Sequence, residues 1–338
     1  MFRNKLQKII RNQNLSADEM SDMIAEIFSG YVSNALIGAF MAALAAKGET
    51  FEELAGAARG MRRKAVRIQV TSPAVVDTCG TGGDGNGTFN ISTTTAFVVA
   101  GCGVTVAKHG NRSVSSRCGS ADLVEALGVN LNAPPELVEE AVSEIGIGFL
   151  FAPLYHGAMK HAAAARKELG IRSIFNMLGP LTNPAGADCQ LLGVYSPQLT
   201  EMFAEALRLL GSRRALVVHG HDGLDEISVC APTRVTELKN GLLRTYDIDP
   251  ERYVGRLADP SEIAGGDPSR NAEITKMVLA GKKGACRDVV ILNASAALMV
   301  AGHAESLDAG IRHASESIDS GAAYGKMETL VKFMRQVE

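Results

Sequence analysis

Apolar residues recur at three- and four-residue intervals through the first 67 positions and divide them into four short helices. Leu6, Ile9 and Ile10 share one face of the first. Met20, Met23, Ile24 and Ile27 mark a second that runs to Gly30. Ile37, Phe40, Met41 and Leu44 mark a third ended by Gly48, and Phe51, Leu54, Ala58 and Met61 a fourth. Ser16 with Glu19, and Thr50 with Glu53, have the spacing of capping boxes ahead of the second and fourth. Helices this short, with many apolar edges, suit a small domain packed on something else. That cover is either its own chain or a second copy.

From Ala74 the pattern becomes β-branched runs alternating with helical spacing. Strands are predicted at Ala74–Val76, Val104–Ala107, Phe149–Phe151, Gln190–Tyr195, Ala215–His219, Arg234–Leu238 and Leu243–Tyr246. Helices are predicted at Asp122–Leu127, from Pro134 through Ile145, at Met159–Leu169 and Leu199–Leu210, and throughout 268–337. Such alternation predicts an α/β fold: a mainly parallel sheet flanked by helices, beside a small all-helical domain. Ligands of such sheets sit beyond the carboxyl ends of the strands. The segments following Val76, Ala107 and His219 would therefore share one edge.

The first of those segments is DTCGTGGDGNGTFNIST, with Gly80, Gly82, Gly83, Gly85 and Gly87 between a strand and a helix start. Bare N–H groups in such a loop, with a helix dipole behind them, favour an anion. No lysine follows the glycines, so it is not a P-loop. Gly80, Gly82 and Gly85 match GxGxxG by letter, but Asp84 and Asn86 interrupt the loop and the next strand leads to Lys108-His109, not to an acid.

Composition narrows the class without choosing the chemistry. The 338 residues are 46% hydrophobic and 21% charged, and the net charge of −3 gives no general attraction for nucleic acid or membrane. No stretch has the length of a membrane span, and the N-terminus lacks an export signal, which points to the cytoplasm. Six scattered cysteines form no CxxC pair and read as reduced thiols.

Along the predicted edge, Asn90, Ser92, Thr93 and Thr95 supply neutral polar groups, and Lys108, Arg112 and Arg117 positive charge. Asp84, Asp225 and Glu226 bring carboxylates to the same place. Carboxylates beside a polyphosphate repel it unless a hard cation lies between them, so the mixture suggests a Mg²⁺–diphosphate site. The rival reading of Asp225-Glu226 is a solvated surface turn.

GTGGD (80–84), NIST (90–93), KHGNR (108–112), RKELGIR (166–172), FNMLGPLTNP (175–184) and DGLDE (222–226) together resemble the signature blocks of the anthranilate phosphoribosyltransferase family. The N-terminal segment ending KGET (47–50) is similar too. The resemblance implies transfer of the phosphoribosyl group of 5-phosphoribosyl-1-diphosphate (PRPP) to the amine of anthranilate, in tryptophan biosynthesis. It implies the class III nucleoside phosphorylase fold: a helical domain at 1–70, joined by helices from 134–167, and an α/β domain at 71–133 and 168–338. By the same resemblance Gly80, Gly83, Asp84, Thr88, Asn90, Ser92, Thr93, Lys108 and Ser120 hold PRPP. Gly80, His109, Asn111, His156 and Arg166 line the anthranilate path, with Arg166 facing the carboxylate. Ser92, Asp225 and Glu226 engage Mg²⁺, two ions per site, and Lys108, Asp225 and Glu226 carry the catalytic burden. A homodimer through the helical domain is also implied. By spacing alone, Arg166 reads rather as a helix cap or surface ion pair. His109 reads as a packed histidine, and His156 with His161 has the spacing of a metal pair but no acidic ligand. A pyrimidine nucleoside phosphorylase and a non-catalytic nucleic-acid-binding relative share the scaffold. Asp225-Glu226 speaks against the first and the charge balance against the second.

Overall fold

The computed structural model describes residues 2–113 and 117–335. Its helical start comprises α1 (Phe2–Ile10), α2 (Ala17–Phe28), α3 (Asn34–Lys47) and α4 (Phe51–Arg62). Both expected capping boxes form: Ser16 with Glu19 at 3.2 and 3.1 Å, Thr50 with Glu53 at 3.2 and 2.9 Å. Glu53 does more than cap. It is fully buried, accepts the Leu15 N–H at 2.9 Å, and pairs with buried Lys47 at 2.9 Å. Every charge in that pair is hydrogen-bonded, as burial demands. Ile10 departs from the expected apolar face and is 63% exposed. It lies about 100° round the helix from Ile9, outside the stripe of Phe2, Leu6 and Ile9.

The larger part follows as β1 (Val75–Asp77), α5 (Ile91–Gly101), β2 (Thr105–Gly110), α6 (Ser120–Leu127), α7 (Pro135–Glu144), β3 (Ile147–Phe151), α8 (Ala152–Tyr155) and α9 (Lys160–Leu169). Next come β4 (Cys189–Gly193), α10 (Leu199–Leu209), β5 (Arg214–Gly220), β6 (Thr233–Lys239), β7 (Leu242–Ile248) and α11 (Glu251–Val254). The chain then ends in α12 (Pro268–Leu279), α13 (Ala285–Ala301), α14 (Leu307–Asp319) and α15 (Ala322–Met334). Positions 336 and 337 of the expected final helix lie outside the described residues.

All the strands join one sheet in the order β3-β2-β1-β4-β5-β6-β7. Pairing is parallel from β3 to β5, and antiparallel for β5–β6 and β6–β7. The antiparallel end is a hairpin whose turn residues, Asn240 and Gly241, both take positive φ (53° and 76°). β2 runs past its expected end at Ala107, because Lys108, His109 and Gly110 pair with Phe149, Leu150 and Phe151 of β3.

Alternation along β4 and β5 serves two cores. Leu191, Leu216 and Val218 join the core built with α5 and α13. Leu192, Val194, Ala215 and Val217 join Phe203 and Leu207 of α10 and the helical layer. The helical layer is thus covered in part by its own chain. α9 packs on α2 and α3 with Ala162 and Ala165 buried, while α7 packs its Val138, Ala141 and Val142 toward β3 and α15.

Candidate active site

The glycine loop leaves β1 and is fixed at both ends. At the near end Thr81 N–H donates to the Gly193 carbonyl of β4 at 2.8 Å, and Thr81 Oγ1 accepts the Tyr195 N–H at 3.2 Å. At the far end Gly87 accepts the Gly265 N–H at 2.9 Å, and Thr88 bridges Ala264. Between them Gly82, Gly83, Gly85 and Gly87 hold φ of 63°, 79°, 79° and 67°, a region costly for any side chain. Gly80 is glycine for want of space: a Cβ there would lie 2.9 Å from the Gly193 oxygen and 3.3 Å from Asp225 Oδ2.

Asp225 and Glu226 do not decorate a surface turn. Asn293 of α13, fully buried, accepts the Ile227 N–H at 3.0 Å and donates to its carbonyl at 2.8 Å. Leu224 and Ile227 are buried, and Asp222 accepts the Ser228 hydroxyl at 2.6 Å. The segment so clamped aims both carboxyls at the glycine loop and at the start of α5. Asp225 accepts the Gly82 N–H, and Glu226 Oε1 accepts the Ser92 N–H at 3.1 Å. Burial raises the Asp225 pKa, reinforced by Asp84; burial raises that of Glu226, reinforced by Asp225; Lys108 opposes both shifts. Asp225 and Glu226 thus share the pull of one lysine, with Asp84 near enough to add to their repulsion. Their oxygen donors and surplus negative charge fit a hard divalent cation such as Mg²⁺.

Lys108 is buried, its Nζ donating to the Thr78 carbonyl at 3.1 Å and lying 3.5 Å from Ser92 Oγ. Asp77, not assigned a role from sequence, sits beneath it with no exposure. One oxygen accepts the Cys79 and His109 N–H groups at 3.0 and 3.2 Å; the other accepts Asn183 Nδ2 at 2.7 Å. Burial pushes its pKa up to about 6 against the pull of Lys108 and these donors. Sequence carried two signals for this layer: Asp77 opens the loop, and Asn183 falls in the LTNP block. Asn293 was visible as a polar residue inside the apolar run of α13.

His109 places Nδ1 3.0 Å from the Gly179 carbonyl and its ring edge-on to His156, centroids 5.1 Å apart. Burial, then the His156 neighbour, lowers its pKa to about 3, and burial lowers that of His156 to about 4. Neither serves as an acid near neutrality. A neutral His109 that donates from Nδ1 leaves Nε2, buried and without a partner among the described residues, as an acceptor. His161 is not paired with His156; its ring lies against Gly30, whose Cβ would fall 2.8 Å from it. Asp77, Cys79 and His109 place potential ligand atoms within 4.8 Å of one another. Asp77 already accepts three hydrogen bonds, and burial pushes the Cys79 thiol up to about 12, so the trio is a hydrogen-bonded core and a poor metal site.

The depressed pKa of His156 has a stability consequence. The unfolded chain takes up a proton below about 6.5, whereas the folded one resists until about 4, so stability is lost as pH falls through that window. His156→Gln is expected to shrink the loss between pH 7 and 5 by about 2 kcal/mol, read from denaturant melts at each pH. An unchanged slope would refute the assignment.

Other expected residues are distributed unevenly. Ser120 opens α6 and its Oγ accepts the Asn111 N–H at 3.2 Å. Asn90 spends its side chain on the Cys118 carbonyl (3.1 Å) and on Asn271 of α12 (2.9 Å), so it ties α5 to two neighbours. Thr93 keeps a buried hydroxyl with no partner among the described residues. Arg112 is held by Asp122 and Glu125 at 2.9 and 2.7 Å on the α6 surface, and Arg117 is exposed. Arg166 of α9 is half-buried over the Phe175 ring at 5.8 Å, and makes no ion pair among the described residues. Burial without a counter-ion lowers its pKa, so the surface ion-pair reading fails.

Known proteins share this architecture throughout. The profile described as "Glycosyl transferase family, helical bundle domain" matches residues 3–65, and "Glycosyl transferase family, a/b domain" matches residues 72–324. An anthranilate phosphoribosyltransferase of Syntrophobacter fumaroxidans is 70% identical over 99% of this chain and 100% of its own. That of Desulfosudis oleivorans is 67% identical over 99% of each. The crystal structure of the Thermus thermophilus enzyme superposes with a TM-score of 0.93 at 46% identity, covering 98% of this chain and 99% of that one. The Saccharomyces cerevisiae enzyme in complex with PRPP and Mg superposes at 0.90 with 29% identity, covering 99% and 98%. Identity of this order along the whole length, with the same helical layer and sheet, shows that the chain belongs to the anthranilate phosphoribosyltransferase family.

Proposed function

We infer that this protein transfers the 5-phosphoribosyl group of PRPP to the amine of anthranilate, releasing diphosphate. The observation that carries the reading is the convergence of Asp84, Asp225 and Glu226 on the glycine loop beside buried Lys108. That arrangement suits an anion delivered with a divalent cation. The yeast relative in complex with PRPP and Mg supports it.

Gly80, Gly83, Asp84, Thr88, Asn90, Ser92, Thr93, Lys108 and Ser120 are assigned to PRPP. Ser92, Asp225 and Glu226 are assigned to Mg²⁺, two ions per site. When bound, Mg²⁺ neutralises diphosphate charge and so lowers the cost of its departure. The chain's own contribution is preorganised: loop N–H groups already oriented and an ammonium already buried where charge develops. Anthranilate's aniline nitrogen is neutral at pH 7 and needs no strong base, in keeping with two histidines whose pKa values lie far below neutrality. Orientation of the two reactants supplies up to about 7–11 kcal/mol of the remaining barrier. No side chain is required as a nucleophile.

Gly80, His109, Asn111, His156 and Arg166 are assigned to the acceptor. The guanidinium of Arg166, without an ion pair among the described residues, suits a carboxylate. Arg166→Ala is expected to raise the KM for anthranilate about tenfold or more and leave that for PRPP within twofold. The reverse pattern would remove Arg166 from the acceptor site.

A homodimer through the helical domain is supported by α3, which exposes Ala35, Ala39, Ala42 and Ala46 on its outer side, and by the 94% exposed Tyr31 next to it. Light scattering decides it; a monomer mass would end the proposal. The scatter of six cysteines with no CxxC pair supports the cytoplasm. The deciding experiment for the function is turnover: Mg²⁺-dependent loss of anthranilate fluorescence that requires PRPP. Absence of that signal together with phosphorolysis of thymidine or uridine would overturn it.

A further inference from the structure

Between its two anchors the glycine loop stands in the open: a Cβ at Gly82, Gly85 or Gly87 would meet nothing within 4 Å. Gly83 is the exception. Its carbonyl accepts a hydrogen bond from Arg172 Nη2, and a Cβ there would fall 2.5 Å from that nitrogen. The Arg172 guanidinium carbon lies 4.2 Å over the Tyr195 ring, a stacking distance. Tyr195 in turn donates its N–H to Thr81 at the start of the loop. Arg172 is exposed and forms no ion pair among the described residues, so its charge is directed to the loop and not to a carboxylate. It follows the end of α9 by three positions and Arg166 by six.

We propose that Arg172 is a positioning residue that latches the crest of the glycine loop in the form that receives diphosphate. The proposal rests on the function inferred above. The physical argument is the planarity of the peptide bond. In a trans peptide the C=O and the following N–H point in opposite directions. Binding the Gly83 carbonyl therefore fixes the Asp84 N–H to face away from Arg172. Tyr195 keeps the guanidinium plane in place, so the latch needs both side chains. Because Arg172 leaves the α9 segment that carries Arg166, the contact also ties the acceptor side of the site to the donor side.

The test separates a latch from a plain stability element and from a direct ligand. Hydrogen exchange of amides 82–87 in the ligand-free enzyme is expected to speed up about tenfold in Arg172→Ala, with an unchanged melting temperature. Unchanged exchange would overturn the latch. In turnover, Arg172→Ala is expected to raise the KM for PRPP about tenfold and hold that for anthranilate within twofold; a rise confined to anthranilate would overturn it. Tyr195→Leu should move the same exchange rates and the same KM, whereas Tyr195→Phe, which keeps the stacking face, should not. Arg172→Lys, able to hydrogen-bond but not to stack, is expected to fall between. Wild-type enzyme lacking turnover would count against the function alone, since the exchange comparison needs neither substrate.

Discussion

Asp225→Asn combined with Glu226→Gln is expected to lower turnover at millimolar Mg²⁺ by at least about 100-fold while raising the melting temperature. The first effect follows from removing the charges that hold the cation. The second follows from the sign of the pKa shifts. Both acids are harder to ionise in the folded chain than in the unfolded one. Their ionisation therefore costs stability once pH exceeds the unfolded carboxyl values, and that cost is in force at pH 7. The amides keep an oxygen to accept the Gly82 and Ser92 N–H groups, so little is lost in exchange. A gain of a few degrees is the expected order. Mg²⁺ should raise the melting temperature of the wild type and leave that of the double variant unmoved. Undiminished turnover, or an intact thermal response to Mg²⁺, would refute the metal assignment.

Gly193→Ala is expected to be nearly as damaging, although residue 193 carries no functional group. A Cβ on Gly193 would lie 1.5 Å from the Asp225 carbonyl oxygen, so one backbone must move. The same residue accepts the Thr81 N–H. Displacement therefore reaches the acid pair and the glycine loop together. A stability loss of about 1–3 kcal/mol or more is expected, with turnover down about 100-fold. Gly325→Ala is the control, because nothing lies within 4 Å of its Cβ position and its φ is ordinary for an L residue. Wild-type activity in Gly193→Ala would show that the loop after β5 is not held by this contact.

Local chemistry was readable wherever it depends on near neighbours in the chain. Both capping boxes formed, because the exchange involves residues three apart and owes nothing to tertiary structure. The glycine loop was readable because positive φ is what clustered glycines permit. The extension of β2 was not, since Lys108 and His109 are in the strand only through pairing with a segment some 40 residues on. The antiparallel β6–β7 end was predicted as two strands without its direction, although Asn240-Gly241 is a hairpin signal. The depth of Asp225-Glu226 depended on Asn293, and that of Lys108 on Asp77 and Asn183. Those polar residues work by satisfying buried groups, a role that has no spacing rule.

The hydrogen bonds that build the site also span very long stretches of chain. Ser92 to Glu226 crosses 134 residues, Asp77 to Asn183 crosses 106, and Thr81 to Gly193 crosses 112. Closing such distances is slow relative to forming helices. The four N-terminal helices are locally encoded and the parallel strands are not. On refolding, then, far-ultraviolet helix signal should return well before activity, and a nascent chain shorter than Glu226 cannot assemble the acid pair at all. Activity in this enzyme reports completion of the sheet.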